Sequence, residues 1–561
     1  MSHSSKVRME VLVDFLDDAL LADHVLGPRD IEGMMSTLAA AGVKRVAWAY
    51  YGDGHGGLRM PQDLKDGRAD YGLCRRTYQE LGNPLQWAVE AGHRHGLEVY
   101  AYFKPYETGV SMVIPEGSPE ATQGLLRHQG GRLGVLDPFV LAHPDLRLQR
   151  RSGTVVAKGP ICALRLTKRD AGPTRVTGPH LQIWTSENNY RYTPLSTSLD
   201  VVESVVPSAN EVVDQAGTVV TRKGDPVRTI TMSGFRIESH YVLVTTDFAD
   251  GPADFTNSGT GMLAALDAQG CEIPGVFATG AGCWLAGRVN FREWGLIFDY
   301  GWGRAVTTLD VSNADGRSGF IAFARGKNAT LPAALCETEP LVQEFWLDGL
   351  REMIAAGVDG VDFREENHCT HTDEPEAYGF NPVVLAQCRP GGDLRREVAR
   401  VRGEAYAGFL RKAHDLLSAC GVRLRYHLNM DWFRSDPPAC RALAYPANIH
   451  FDWRRWIEEG LLDEAVLRSF HHRKDMLADS FGGELVEACH GAGIPISFNH
   501  HIFDDNGWYL EEAVRVADDG HFAGLILYEL NTFLRTDMNG NGRFTLSCVE
   551  EICRILRERI S

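Results

Sequence analysis

The chain of 561 residues has little of what marks a nucleic-acid or membrane protein. It contains no run of Lys or Arg, and its formal net charge is −17. A polyanionic partner such as nucleic acid is therefore not expected. No stretch reaches the roughly 18 consecutive apolar residues of a membrane span, so no membrane partner is expected. The N-terminal "MSHSSKVRMEVLVDFLDD" lacks the apolar run of a signal peptide. The 12 cysteines are scattered without a CxxC pair, which points to reduced core residues and a cytoplasmic location. No glycine-rich phosphate loop follows a strand, so no nucleotide fingerprint is present and no cofactor is expected. The spacing HExxH is missing as well. The histidine pairs at 471–472 and 500–501 make a poor zinc set, because neighbours on a strand face opposite ways. "DMNGNG" (537–542) starts like a calcium loop but has Cys548 where the bidentate Glu belongs, so a polar turn is expected there.

What remains is an ordinary globular composition, 44% hydrophobic and 23% charged, in a chain long enough for two or three domains. Strand-like "MEVLVDF" (9–15), "VKRVAWAYY" (43–51) and "LEVYAYF" (97–103) alternate with helical patterns over 29–42 and 83–96. From about 154 to 335 the pattern changes to short alternating segments separated by Gly and Asp/Asn turns. These include "LQIWTS", "RTITMSGF", "HYVLVTTDF", "GLIFDY" and "GFIAFAR". That pattern predicts an antiparallel, sandwich-like β domain. The βα rhythm resumes with a helix over 340–357. Strand four follows within "GVDGVDFREENH", then a helix over 402–420 and strand five at 422–430. A helix over 456–463, strand six at 465–470, a helix over 483–492, strand seven at 494–499, a helix over 509–519 and strand eight at 522–529 complete the series. The expected fold is a (β/α)8 TIM barrel, of the α/β class, interrupted after strand three. Its halves are residues 1–153 and 336–561, with a β-rich insertion over 154–335. A doubly wound open sheet is the structural alternative.

Barrel strands send alternate residues to the lumen and to the helix layer. In "VRLRYHLNM", Leu424, Tyr426, Leu428 and Met430 form one face, and Arg423, Arg425, His427 and Asn429 the other. The same parity turns Asp14, Tyr102, Lys104, Asp362, Arg364, Asn499 and His501 inward, with Asp431 at the end of strand five and Glu529 ending strand eight. Asn367 and His368 lie just beyond strand four. Active sites of such barrels form at these carboxyl ends. Asp362 with Arg425 could equally be a structural ion pair. Aromatic residues fall near the same ends: Trp48, Tyr50, Tyr51, Phe103, Tyr106, Trp432 and Trp508. Aromatic faces with carboxylates, amides and imidazoles suit a sugar better than a phosphate.

The segments "FWLDGLREMIAAGVDGVDFREENH", "FDWRRWIEEGLLDEAV" and "GLILYE" resemble bacterial glycosyl-hydrolase-like barrels, the glycoside hydrolase-like family ten type. The resemblance covers the barrel halves and implies a (β/α)8 barrel acting on glycans with acidic residues at strand ends. Relatives often carry Asp-Asp where this chain has Arg364 and Glu365. The leading expectation is a glycoside hydrolase acting on a carbohydrate or glycoside. Glu529, Asp362, Glu365 and Asp431 are its candidate carboxylates. Arg364, Asn367, His368, His427, Asn429, Asn499, His501, Lys104, Tyr102, Tyr50, Trp432 and Asp14 are its candidate binding residues. Two alternatives stay open. One is a sugar lyase or isomerase using Lys104, His427, His501 and Arg364. The other is a non-catalytic glycan-binding protein.

Overall fold

A computed structural model of the chain describes residues 7–15, 18–19, 24–50, 76–111, 134–152, 159–168, 170–174, 177–187, 193–213, 219–239, 241–246, 263–273, 319–324, 330–365, 375–430, 433, 448–469, 476–500, 511, 514–516, 518–527 and 546–558. Eight parallel strands close into a barrel. They are β1 (Arg8–Val13), β2 (Arg45–Ala49), β3 (Glu98–Phe103), β4 (Gly360–Phe363), β5 (Arg423–Asn429), β6 (Glu464–Ser469), β7 (Ile496–His500) and β8 (Gly524–Leu527). Pairing of Arg8 with Gly524 and of Val11 with Leu527 closes the ring. The fold is thus the expected (β/α)8 barrel and not an open doubly wound sheet.

The helices begin and end on local signals. Pro28 opens α1 (Pro28–Ala41), and Gly42 ends it at φ 108°. Asn83 accepts from the Gln86 amide ahead of α2 (Pro84–Arg94), with Pro84 in the first turn. Pro340 opens α3 (Pro340–Ala356), which ends on Gly357 at φ 86°. Asp393, Asp452 and Asp479 cap α4 (Leu394–Ala419), α5 (Trp453–Glu458) and α6 (Ser480–Gly491). The α4 helix starts eight residues before the expected 402, because Asp393 caps a more polar first turn than the apolar pattern alone marks. A final helix, α7, spans Leu546–Glu558. The expected helix over 509–519 falls partly outside the described residues.

Strands lying in sequence between β3 and β4 pair with one another in separate antiparallel sheets. One has the spatial order Asp200–Pro207, Pro226–Ile237, Ile161–Thr167, Leu263–Leu266. Another runs Gly319–Ala324, Tyr241–Thr246, Leu181–Ser186, Thr193–Pro194. "GLIFDY" lies outside the described residues.

The main apolar core fills the layer between strands and helices. Val11, Val13, Val46, Val99, Val361, Phe363, Leu424, Tyr426, Leu467 and Phe498 all face it. Three aromatics expected at the mouth belong here instead. Trp48 stacks on Phe15 at 4.9 Å, Phe103 meets Phe363 edge-on at 5.5 Å, and Tyr106 stacks on Tyr406 at 5.9 Å. The reason is parity for Trp48 and Phe103, which share the outward face with Val46 and Val99. Tyr106 follows β3 and turns back over α3 and α4.

Candidate active site

The lumen is polar over most of its length, and its lower half is a charge network. The Arg45 guanidinium donates to Glu98 (2.7 and 2.9 Å) and to Glu464 (2.5 and 3.1 Å). Arg425 grips Asp362 with two bonds of 2.9 Å and also donates to Glu10. Arg423 donates to Glu98 and Glu464, the Tyr100 hydroxyl donates to Glu464 (3.0 Å), and Ser497 donates to Glu10 (3.1 Å). Arg45 lies 4.0 Å and Arg425 4.9 Å from the centre of the Tyr100 ring.

Two lumen-facing glycines make room for this network. A Cβ at Gly360 would sit 2.5 Å from the Tyr100 ring, and one at Gly524 would sit 2.3 Å from a Glu10 oxygen. This explains why "GVDGVDF" carries glycine at the start of strand four. Burial alone would raise the Glu10 carboxyl, but Arg425, Arg45 and Arg8 together hold it below its usual value. Asp362 follows the same logic. Burial opposes ionisation, but Arg425 and His427 keep it well below the usual carboxylate range. Asp362 is therefore a held anion and a poor proton donor at neutral pH.

Above this network, the carboxyl ends of the strands deliver a second set of polar side chains. Lys104, Arg364, Glu365, His427, Asn429, Arg468, Asn499 and Asp14 are all buried. His427 Nε2 lies 2.9 Å from Asp362 Oδ1, close but short of a well-aligned hydrogen bond. Burial pushes the imidazole down to about 4, against the pull of Asp362. His427 is thus neutral at physiological pH. With a hydrogen on Nε2 toward Asp362, Nδ1 is a lone-pair acceptor, and among the described residues that nitrogen has no hydrogen-bond partner. Arg364 lies over the Tyr102 ring at 4.4 Å. Arg468 donates to the Asn499 side-chain oxygen, and the Asn499 amide donates to the Ile526 carbonyl at 3.0 Å. Glu365 shares the outward parity of Phe363, and its charge acts on the buried Tyr406 hydroxyl. It stands at the end of the strand, one residue past the lumen-facing Arg364.

Tyr50 and Lys104 have a further neighbourhood. Both line a cleft of about 230 Å³ beside the barrel, between the end of β3 and α3. The Tyr50 hydroxyl donates to Glu352 of α3 at 2.7 Å, and Lys104 donates to Glu107 at 2.8 Å. The structure therefore brings Asp14, Tyr102, Lys104, Asp362, Arg364, His427, Asn429 and Asn499 to the lumen side, while Glu365 at the end of β4 and Tyr50 after β2 share the helix-side parity of Phe363 and Trp48. Glu529, Asp431, Asn367, His368, His501 and Trp432 lie outside the described residues, as does 537–542. Sequence reasoning missed Arg468, although "EAVLRSF" places it on the Val466 parity that faces the lumen. It also missed Glu10, Arg45, Glu98 and Glu464, which sit toward the amino ends of their strands.

Among the described residues no helix is long and apolar enough to cross a membrane. No protein-family model matches the chain, and no curated protein matches it by sequence. Solved structures give distant matches. The catalytic domain of a β-amylase from Paenibacillus polymyxa aligns at 8% identity over 97% of both chains, with a TM-score of 0.37. A GH20 exo-β-N-acetylglucosaminidase from Vibrio harveyi aligns at 8% identity over 98% of this chain and 54% of its own, TM-score 0.35. Isomaltulose synthase from Klebsiella sp. LX3 aligns at 10% identity over 95% and 66%, TM-score 0.33. The barrel assignment for this chain rests on its own strand pairing, not on these alignments.

Proposed function

We propose that this chain is a carbohydrate-active enzyme whose site is the carboxyl-end mouth of the barrel, and that its reaction is hydrolysis of a glycosidic bond. One observation carries the reading. Strands β3 to β7 each place buried polar side chains at their carboxyl ends, above a lower layer whose carboxylates already have guanidinium partners. Polar groups concentrated there suit a hydroxyl-rich ligand. In this reading Glu365 and Glu529 are the reacting carboxylates, with Asp431 as the alternative partner. Asp362 moves from reacting group to positioning anion, because Arg425 and His427 occupy it. Arg364, Asn429 and Asn499 hold sugar hydroxyls. Residues 154–335 form a β unit between the two barrel segments, its last strand, Thr330–Leu335, pairing back to Arg147–Gln149 and packing in the barrel core. The resemblance to glycosyl-hydrolase-like barrels agrees with this chemistry.

Turnover of a panel of aryl glycosides and oligosaccharides tests the reading. Wild-type hydrolysis with loss in both Glu365→Gln and Glu529→Gln supports it. Near-normal turnover in either variant removes that residue from the pair.

A second reading draws on one observation, the neutral His427 beside the ionised Asp362, its Nδ1 without a hydrogen-bond partner among the described residues. Such an imidazole can take a proton from a carbon acid, as a sugar lyase or isomerase requires. Activity on uronic acids or unsaturated sugars, lost in His427→Gln and absent on simple glycosides, would favour it.

A further inference from the structure

Among the described residues the strand Asp200–Pro207, "DVVESVVP", is the edge of its four-stranded sheet and pairs only with Pro226–Ile237. Every residue of it is exposed. Val201 is 37%, Val202 62%, Val205 48% and Val206 39% exposed, on both faces of the strand. Sheet edges open to solvent are commonly blunted by lysine, a bulge or a covering loop. This strand has no lysine, and its pairing with the neighbouring strand runs through all eight residues without a register shift.

The direction of its backbone groups follows from its neighbour. Arg228 directs its amide and carbonyl to the far side, to Asp170 and Lys168. Its partner across the ladder, Val205, is therefore in a non-hydrogen-bonded pair and points its own groups outward. By alternation Val201, Glu203, Val205 and the Pro207 carbonyl also face the open edge. Ser208, of the opposite parity, donates inward to Asp225.

We infer that this edge is a docking surface for a second copy of the same chain, paired antiparallel across a two-fold axis through Ser204. Opposite residues in such a pair must share hydrogen-bonding parity, which restricts the symmetric registers to those centred on a residue. Centring on Glu203 sets two carboxylates face to face. Centring on Val202 leaves Val205 and Val206 without partners. Centring on Ser204 places Val202 against Val206 of the partner subunit, and Glu203 against the partner's Val205. It also places Val201 against the partner's Pro207. Glu203 and Val205 then exchange amide-to-carbonyl bonds, and the Val201 amide donates to the carbonyl of the partner's Pro207. The proline ring thus sits where its missing N–H is lost only at the end of the ladder. Charge fits as well. Glu203 is paired with Arg228 at 2.6 Å in its own subunit, so no bare carboxylate meets the interface. The contact is isologous and closed, with the two four-stranded sheets joined into one.

The test uses the full-length chain. Sedimentation velocity from low to high micromolar concentration is expected to show a species of twice the 62.1 kDa chain mass. The double variant Val202→Lys, Val206→Lys sets like charges opposite each other twice across the seam and is expected to be monomeric with an unchanged Tm, since both side chains are already exposed. Ser204→Cys reports the register. Facing non-hydrogen-bonded positions bring Cα atoms to ~4.5 Å, within disulfide range, so oxidation should cross-link this variant to a dimer above the wild-type background. Val206→Cys should not cross-link to itself. A wild-type chain monomeric at every concentration overturns the inference. So does a dimer that survives the double lysine change, or cross-linking at Val206 in place of Ser204.

Discussion

The lower and upper halves of the barrel lumen use the same kinds of side chain to different ends. Below, Glu10, Glu98, Glu464 and Asp362 are interlocked with Arg45, Arg423 and Arg425. Above, Arg364, Glu365, His427, Asn429, Arg468 and Asn499 gather where the strands end. A buried charge alone is thus no sign of a site in this molecule. The pairing of the charge and its height along the strand separate structure from chemistry. Taking ions out of water costs several kcal/mol each, and the lower network offsets this with short, multiply bonded pairs.

The largest effect on stability is expected from Arg425→Met. It leaves Glu10 and Asp362 buried without their main partner, and breaking a buried pair from one side costs about 3–5 kcal/mol. Calorimetry should show a large fall in Tm or no folded protein; a near-normal Tm would mean that the lower network is not what holds the lumen together. Glu365→Gln should do the reverse. It should keep the fold and lower kcat by roughly 10²–10⁴, the usual contribution of a positioned acid or base. A Tm loss as large as that of Arg425→Met, with kcat retained, would move Glu365 into the structural half.

Acid pH should weaken the fold in two stages, through His427 of the upper half first and the lower carboxylates after it. The Glu10 and Asp362 carboxyls are lower in the folded state than in the unfolded chain. Their stabilisation is present above the unfolded value of about 4 and is lost as pH falls through the folded values. His427 adds to this loss from higher pH. The unfolded imidazole binds its proton near 6.5 and the folded one only near 4, so stability falls between these values as pH drops. A Tm series from pH 8 to pH 4 should decline across that window, and His427→Gln should flatten its upper part. An unchanged slope in the variant would contradict the assignment. The smallest change is expected from Tyr100→Phe. It removes one donor to Glu464, a bond to a charged group worth roughly 1.5–3 kcal/mol, from an acceptor that keeps Arg45 and Arg423. The Tm shift should be measurable but well below that of Arg425→Met.

The barrel was legible because its signals are local. Prolines and glycines bracket α1 and α3, and the alternation in "VRLRYHLNM" separates the faces of β5 correctly. The inward turn of Asp362, Arg364, His427 and Asn499 followed from the same period. The lower network was not legible, because its bonds join residues far apart in the chain, such as Arg45 and Glu464. Only closure of the ring brings them together. Attention to carboxyl ends alone also passed over Glu10 in "MEVLVDF" and Glu98 in "LEVYAYF". The misplaced aromatics Trp48 and Phe103 came from using proximity to a strand end without its parity. Tyr50 shares the outward parity of Val46 and Trp48, and on that side its hydroxyl reaches Glu352 of α3.

The central claim is that chemistry belongs to the upper lumen. A crystal structure of the chain soaked with a saccharide identified from the turnover panel tests it most directly. The account predicts a sugar ring at the carboxyl-end mouth, with oxygens at hydrogen-bond distance, roughly 2.7–3.2 Å, from Glu365, Arg364 and Asn429. A ring bound instead in the lateral cleft between β3 and α3, with the upper lumen unchanged, would contradict it.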